Sequence, residues 1–352
     1  GRMPVILGSA DLNVACQTVP ASEVTLPEKK NDRGVVHHPG ERAYSGRDWD
    51  FGDFNLLSSL SAMSLDETPF NASHLPSLSK GRGLGGFVEV VNPEGEEVPV
   101  MAALGWVDLM RVVGPRKSGE EVWTEEQVMD RFKAYYRYLD CGFQIPISAA
   151  SLGTEKSLSP LDRAGGARVY ARIFGGFSFG AFVKSLKAGK SWATNGPILS
   201  LAVNGRDLGE VHRSYAGAKL KISYGARSRR PLSRVELVYN GEVVSSLPIS
   251  STTDVTLKDF EIVTNEGGWI AARAFEAQVD SASPVRYAHT SPVYVLSTGV
   301  RWINKPQAQK FADQIEQRLH QLRNEIPTPD ATGAKVLAWY ELARQKYLKL
   351  LE

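Results

Sequence analysis

The chain has 352 residues, of which 42% are hydrophobic and 23% charged, the composition of a globular protein and not of a disordered or collagen-like one. At about 100–200 residues per domain it has room for two domains and an appendage. Lys+Arg 41 against Asp+Glu 39 leave a net charge of +2, which excludes a nucleic-acid footprint over the whole chain but not a local basic patch.

No apolar core of a signal peptide follows Gly1-Arg2-Met3-Pro4; Val5-Ile6-Leu7 and Leu12-Asn13-Val14-Ala15 read as the interior of a fold already under way. Strands are expected at Val35-Val36, Phe54-Asn55-Leu56-Leu57, 86–91 and 107–113, each bounded by Gly or Pro. The stretches 20–50, 64–85 and 114–121 are rich in Gly, Ser and Pro and read as loops. Thr124 is placed to cap a helix carrying Val128, Phe132, Tyr135, Tyr136 and Leu139 on one face, and Ser178 to start another carrying Phe179, Phe182, Val183 and Leu186. Strands alternating with helices predict an α/β layer or barrel over 1–195.

From 196 to 300 the pattern becomes one of short strands. Asn204-Gly205 and Asn240-Gly241 each sit between alternating apolar residues, the strongest short-range hairpin signal because type I′ turns need positive φ at both central positions. An antiparallel β-sandwich is expected there. Residues 301–352 read as two helices, with stripes at Ala308, Phe311, Ala312, Ile315, Leu319, Leu322 and at Val336, Tyr340, Ala343, Tyr347, Leu351, broken by Pro327-Thr328-Pro329. The stripes suit packing on the body or a protein partner or second copy. No apolar run reaches the roughly 20 residues of a membrane span.

Chemistry-bearing residues are few. Cys16 and Cys141 lie too far apart in sequence for a metal knuckle. His37-His38 is the one histidine pair, and neighbours on a strand point to opposite faces, so joint ligation of one ion is disfavoured. Asp48, Asp50 and Asp53 form an acidic loop without the spacing of an EF-hand. Gly81 to Gly86 precedes a strand, whereas a dinucleotide fingerprint follows one, so it reads as a flexible loop. Lys184, Lys187, Lys190, Arg227, Arg229 and Arg230 read as solvated faces.

Several phrases together resemble the CehA/McbA-type metallohydrolases of the PHP superfamily. They are Phe54-Asn55-Leu56-Leu57, the run from Tyr136 through Cys141-Gly142-Phe143-Gln144-Ile145-Pro146 to Ala149, and Ala288-His289-Thr290-Ser291-Pro292. Most specific is the run from Phe182 to Leu199 containing Ala188-Gly189-Lys190 and Thr194-Asn195-Gly196-Pro197. The resemblance covers most of 1–310 and is strongest from 130 to 300. It implies an α/β fold: a distorted or incomplete PHP-like β/α barrel over 1–195, a β-sandwich over 196–300, and a C-terminal helical hairpin over 301–352.

It also implies a hydrolase of phosphoesters or carbamates that uses a divalent Zn, Mn or Fe ion to activate water. The ligand pattern is eroded, however. Asp53 stands where the class has a histidine before Phe-Asn-Leu-Leu, Asn92 replaces the histidine of a His-Pro pair, and Leu152 replaces an aspartate. His37, His38, Asp53 and Asn92 are the remaining metal candidates, and Asn195 is a candidate positioning group. The expected function is thus a metallohydrolase homologue with a degenerate site, inactive and metal-free if the site is lost. The alternative is a non-catalytic binding or structural protein. No nucleic-acid partner is expected, and the class favours an extracytoplasmic home.

Overall fold

The structure is a computed structural model that describes residues 14–19, 29–30, 36–41, 54–57, 73–83, 85–114, 124–151, 165–249, 252–280, 283–298 and 302–352. The chain divides into two compact units, Gly1–Met110 with Asn304–Glu352, and Arg111–Ile303. The second takes in residues on both sides of position 195.

The first unit contains strands β1 (Val14–Val19), β2 (Lys29–Lys30), β3 (Val36–Glu41), β4 (Phe54–Leu57), β5 (Phe87–Val90) and the start of β6 (Leu109–Val113). Their order is β1-β3-β4-β5-β6, with β2 beside β3. Pairing is mixed: β1–β3 and β5–β6 are parallel, β3–β4 and β4–β5 antiparallel. Helix α1 (Leu75–Gly83) falls in the Gly/Ser-rich stretch read as loop. Tertiary anchors override its poor propensity: Leu75 and Leu78 are fully buried, and Arg82 Nη1 pairs with Asp108 at 2.6 Å. Helix α2 is short (Val98–Leu104), with proline in its first turn and Gly105 in the left-handed conformation closing it.

In the second unit α3 (Glu125–Asp140) opens on a capping box, with Thr124 Oγ1 accepting from Gln127 N and the Gln127 side chain accepting from Thr124 N. Strands β7 (Ile147–Ala149) and β8 (Arg168–Ala171) lead to α4 (Phe179–Lys187), capped by Ser178. There follow β9 (Ser191–Thr194), β10 (Ile198–Val203), β11 (Val211–Ser214), β12 (Ala218–Arg227), β13 (Leu232–Tyr239), β14 (Glu242–Pro248), β15 (Asp254–Thr264), β16 (Gly268–Glu276), β17 (Tyr287–Thr290) and β18 (Val293–Ser297). Strands β10-β12-β15 form one sheet. The other runs β11-β18-β16-β17-β9-β8, with β13 on the far side of β16 and β14 beside β13.

The two sheets share a core. Leu199, Leu201 and Val203 of β10 and Leu220, Ile222 and Tyr224 of β12 meet Val235, Leu237, Ile270, Ala272, Ala274, Val293 and Val295. Alternation along β16 sends Ile270, Ala272 and Ala274 into that core and Trp269, Arg273 and Phe275 toward α3. Burial of each large apolar side chain contributes about 1.5–3 kcal/mol.

The last helices, α5 (Lys305–Glu325) and α6 (Ala331–Lys349), belong to the first unit and pack on each other, with α6 also against α2. Ala308, Phe311, Ala312, Ile315, Leu319 and Leu322 of α5 and Val336, Tyr340, Ala343 and Tyr347 of α6 are buried.

The expected α/β class with a PHP-like barrel is corrected by this topology. A β/α barrel needs parallel strands, each followed by a helix, closing on themselves. The described residues instead form open, largely antiparallel sheets with few helices. Strands β8 and β9, assigned in sequence to the barrel, are antiparallel neighbours, and β9 pairs with β17 in the eight-stranded sheet. Among the described residues no helix is long and apolar enough to cross a membrane.

Candidate functional site

Chemistry-bearing side chains concentrate beneath α3. Its residues Phe132, Tyr135 and Tyr136 face the outer side of the large sheet, where β16 and β17 place Arg273 directly opposite His289. His289 is completely buried. The rings of Phe132 and Tyr136 lie 4.8 and 5.6 Å from its own.

Both histidine nitrogens are bonded: Nδ1 is 2.7 Å from Thr290 O, and Nε2 is 2.7 Å from Tyr136 Oη. A carbonyl can only accept, which assigns the proton to Nδ1 and leaves Nε2 to accept from the Tyr136 hydroxyl. Burial drives His289 down to about 3, with the Arg273 cation pushing the same way and the bond to Thr290 opposing. Burial likewise pushes the Tyr136 phenol up to about 12. Both groups are therefore neutral near pH 7.

A chain of charges runs outward from them. Arg273 Nη1 reaches Tyr136 Oη at 3.5 Å, and Arg273 Nε donates to Glu236. Glu236 Oε1 accepts from Arg234 Nε at 2.8 Å, and Arg234 Nη2 donates to Glu125 Oε1 at 2.6 Å. Arg234 also lies over the Phe275 ring at 3.8 Å. Beside this network Trp269 Nε1 donates to Asp140 Oδ1 at 2.9 Å, and burial raises the Asp140 carboxyl to about 6. A tyrosine, histidine and arginine in series suggest an acid–base relay, but here each is occupied by its neighbour and sealed under aromatic rings. The arrangement fixes α3 to the sheet.

A second buried group sits in the first unit. Glu97 is fully buried; its Oε1 accepts from Ser73 Oγ at 2.5 Å and Tyr340 Oη at 3.2 Å, and its Oε2 from His74 N at 2.9 Å. Burial raises its carboxyl to about 7, against the pull of these donors and of Arg318. Tyr347 Oη donates to Pro99 O at 3.0 Å, and Lys346 Nζ to Ala103 O at 2.8 Å, so α6 is bound along the length of α2.

The residues singled out in sequence are distributed as follows. His37 and His38 are adjacent positions of β3, opposite Ala15 and Cys16 of β1. Asp53, with Asp48 and Asp50, lies outside the described residues. Asn92 follows β5 in the first unit, buried, with Oδ1 accepting from Glu94 N at 3.3 Å. Asn195 belongs to the second unit, where Nδ2 donates to Val285 O at 3.0 Å and Oδ1 accepts from Tyr287 N at 2.7 Å.

Among the described residues no three His, Cys, Asp or Glu side chains gather to hold a metal ion. Sequence reasoning passed over Glu97 and His289. The available signals were an acid just before Val98-Pro99 at a helix start, and a lone histidine inside an apolar strand.

No family model and no curated protein matches the chain. Among solved structures it is similar to the solution NMR structure of a CARDB domain from Pyrococcus furiosus, at 14% identity over 28% of this chain and 95% of that one. The TM-score is 0.19, a likeness too slight to bear on fold or function.

Proposed function

We propose that this chain is a binding or structural protein whose Arg111–Ile303 unit is a rigid β platform, related through that unit to the CehA/McbA-type metallohydrolases. Asn195 carries the reading. Thr194-Asn195-Gly196-Pro197 is the phrase most specific to that class, and in this protein its polar groups bind the protein itself. The carboxamide bonds Val285 O and Tyr287 N, and the Asn195 carbonyl accepts from Arg286 Nη1 at 3.0 Å. A side chain bonded through both its polar atoms and 3% exposed holds the exit of β9 against β17; it is not offered to a substrate. His289, Tyr136, Arg273 and Glu236 repeat the pattern.

Shared architecture does not carry activity with it, so the hydrolase alternative rests on the resemblance and would draw on His37, His38, Asp53 and Asn92. The discriminating experiment is hydrolysis of bis(4-nitrophenyl) phosphate and of an aryl carbamate by the purified chain, with and without Mn²⁺. The platform reading expects no turnover above buffer with metal. Metal-stimulated turnover that is lost in both Asn92→Ala and His37→Ala/His38→Ala would overturn it and install the hydrolase.

A further inference from the structure

We propose that the segment 172–190 of the second unit, led by Phe174 and Phe177, docks on an anionic phospholipid surface. This goes beyond the platform reading and does not depend on it, since a hydrolase could carry the same surface.

Three observations converge. The turn between β8 and α4 reads Ile173-Phe174-Gly175-Gly176-Phe177-Ser178, and its two rings are turned out to solvent, Phe174 72% and Phe177 45% exposed. Gly175 takes φ +90, and a Cβ built at Gly175 or Gly176 would meet nothing within 4 Å, so the tip of the turn has open space beside both glycines. Finally, the sequence between Asp162 and Asp207 contains no acidic residue, yet carries Arg163, Arg168, Arg172, Lys184, Lys187, Lys190 and Arg206.

Within the described part of that stretch, Lys184 and Lys187 are exposed on α4, the helix that follows the turn. Lys190 Nζ lies 5.1 Å from the centre of the Phe174 ring. Arg172 pairs with Asp207 at 2.7 Å and Lys190 with Glu210 at 3.1 Å, both partners coming from the loop that follows β10.

The chemistry of the tip selects the partner. Phenylalanine has no hydrogen-bonding group, so two exposed rings at the apex of a turn gain by leaving water for an apolar phase. The cations of the same segment suit a negatively charged headgroup layer, each near-surface lysine or arginine strengthening the attraction about fivefold. Exposed rings and cations on one short segment suit a bilayer interface, where an apolar boundary lies beneath a charged one.

The test is co-sedimentation of the full chain with vesicles of phosphatidylcholine and phosphatidylserine in equal parts, against phosphatidylcholine alone and against soluble heparin. Expected are binding to the anionic vesicles, little to the neutral ones, and weakening as salt is raised. Phe174→Ser/Phe177→Ser should cut vesicle affinity roughly tenfold or more. Lys184→Glu/Lys187→Glu should do the same and flatten the salt dependence, and all four positions are surface ones whose exchange leaves the thermal unfolding midpoint in place. Wild-type protein that stays in the supernatant overturns the proposal. So does vesicle binding indifferent to the phenylalanines, or heparin binding through the same lysines without vesicle binding, which would make the partner a soluble polyanion.

Discussion

Among the described residues, the unit closed by α5 and α6 buries an acid completely, and the Arg111–Ile303 unit buries a base completely. Glu97 and His289 are both removed from water, and for both burial is the first cause of the shift, raising the acid to about 7 and lowering the base to about 3. The two environments resolve the same difficulty in opposite ways. Glu97 keeps three donors around it and so can still hold a charge at the upper edge of the neutral range. His289 is given one acceptor and one hydroxyl, a set that fits the neutral ring and leaves no carboxylate to welcome a proton. The same physical cause therefore makes the two buried groups respond to pH with opposite sign.

The largest effect follows from the histidine. Its folded value is depressed from 6.5 to about 3, so the stability it contributes is complete above 6.5 and disappears as pH falls toward 3. The full change is about 5 kcal/mol by linkage. Asp140, raised from 3.8 to about 6, works against it in the same unit by about 2 kcal/mol after allowance for its partial exposure. Native-state hydrogen exchange of the β16 and β17 amides isolates the histidine when wild type is compared with His289→Gln. The variant is expected to start less stable, with a bond to Tyr136 or Thr290 disturbed, and to lack the acid-side loss between 6.5 and 3. An undiminished loss in the variant would assign the acid sensitivity of this unit elsewhere.

Glu97 gives the smaller, reversed response. Its folded value is raised from 4.5 to about 7, so the protonated side favours folding and the benefit is lost as pH climbs through that interval. The span is about 3 kcal/mol. Glu97→Gln keeps an acceptor for Ser73 and Tyr340 but cannot charge, so exchange protection of the α6 amides should stop depending on pH between 4.5 and 7. Protection of α6 that rises with pH in wild type would break the contrast between the two units.

Features set by neighbours in sequence were legible beforehand, and those set by distant partners were not. Asn240 and Gly241 adopt φ 49 and 85, the left-handed pair expected of their turn, and Tyr239 faces Glu242 across the β13–β14 hairpin. Thr124 and Ser178 cap the helices their positions suggested. The six α5 stripe residues are all buried because helical spacing alone puts them on one face. Strand order has no such local signature. Thr194 of β9 bonds Tyr287, 93 residues further on, and nothing in the alternation of either strand distinguishes that neighbour from a barrel partner. The hidden acid was illegible for the same reason. Glu97 looks like an ordinary residue at a helix start, and its burial depends on Tyr340, 243 residues away. As for the site residues, the Asn195 phrase stood out in the sequence, but its use as an internal brace depends on Val285 and Tyr287, which only the folded sheet brings alongside.

A matched pair of tyrosine substitutions makes the finest comparison, because each removes one hydroxyl and nothing else. Tyr136→Phe leaves His289 Nε2 buried among rings with its one donor gone, and such an unsatisfied group costs about 1–3 kcal/mol. Tyr340→Phe withdraws the longest of three bonds to Glu97, at 3.2 Å, while Ser73 Oγ and His74 N still donate. Its cost should be about 1 kcal/mol or less. It should also move the Glu97 titration upward, since the lost donor favoured the charged form. Urea unfolding of each variant, with the carboxyl followed by carbon NMR, reads both quantities. A Tyr340→Phe penalty larger than that of Tyr136→Phe would mean that the phenol, and not the Ser73 and His74 donors, is what lets this buried acid hold its charge.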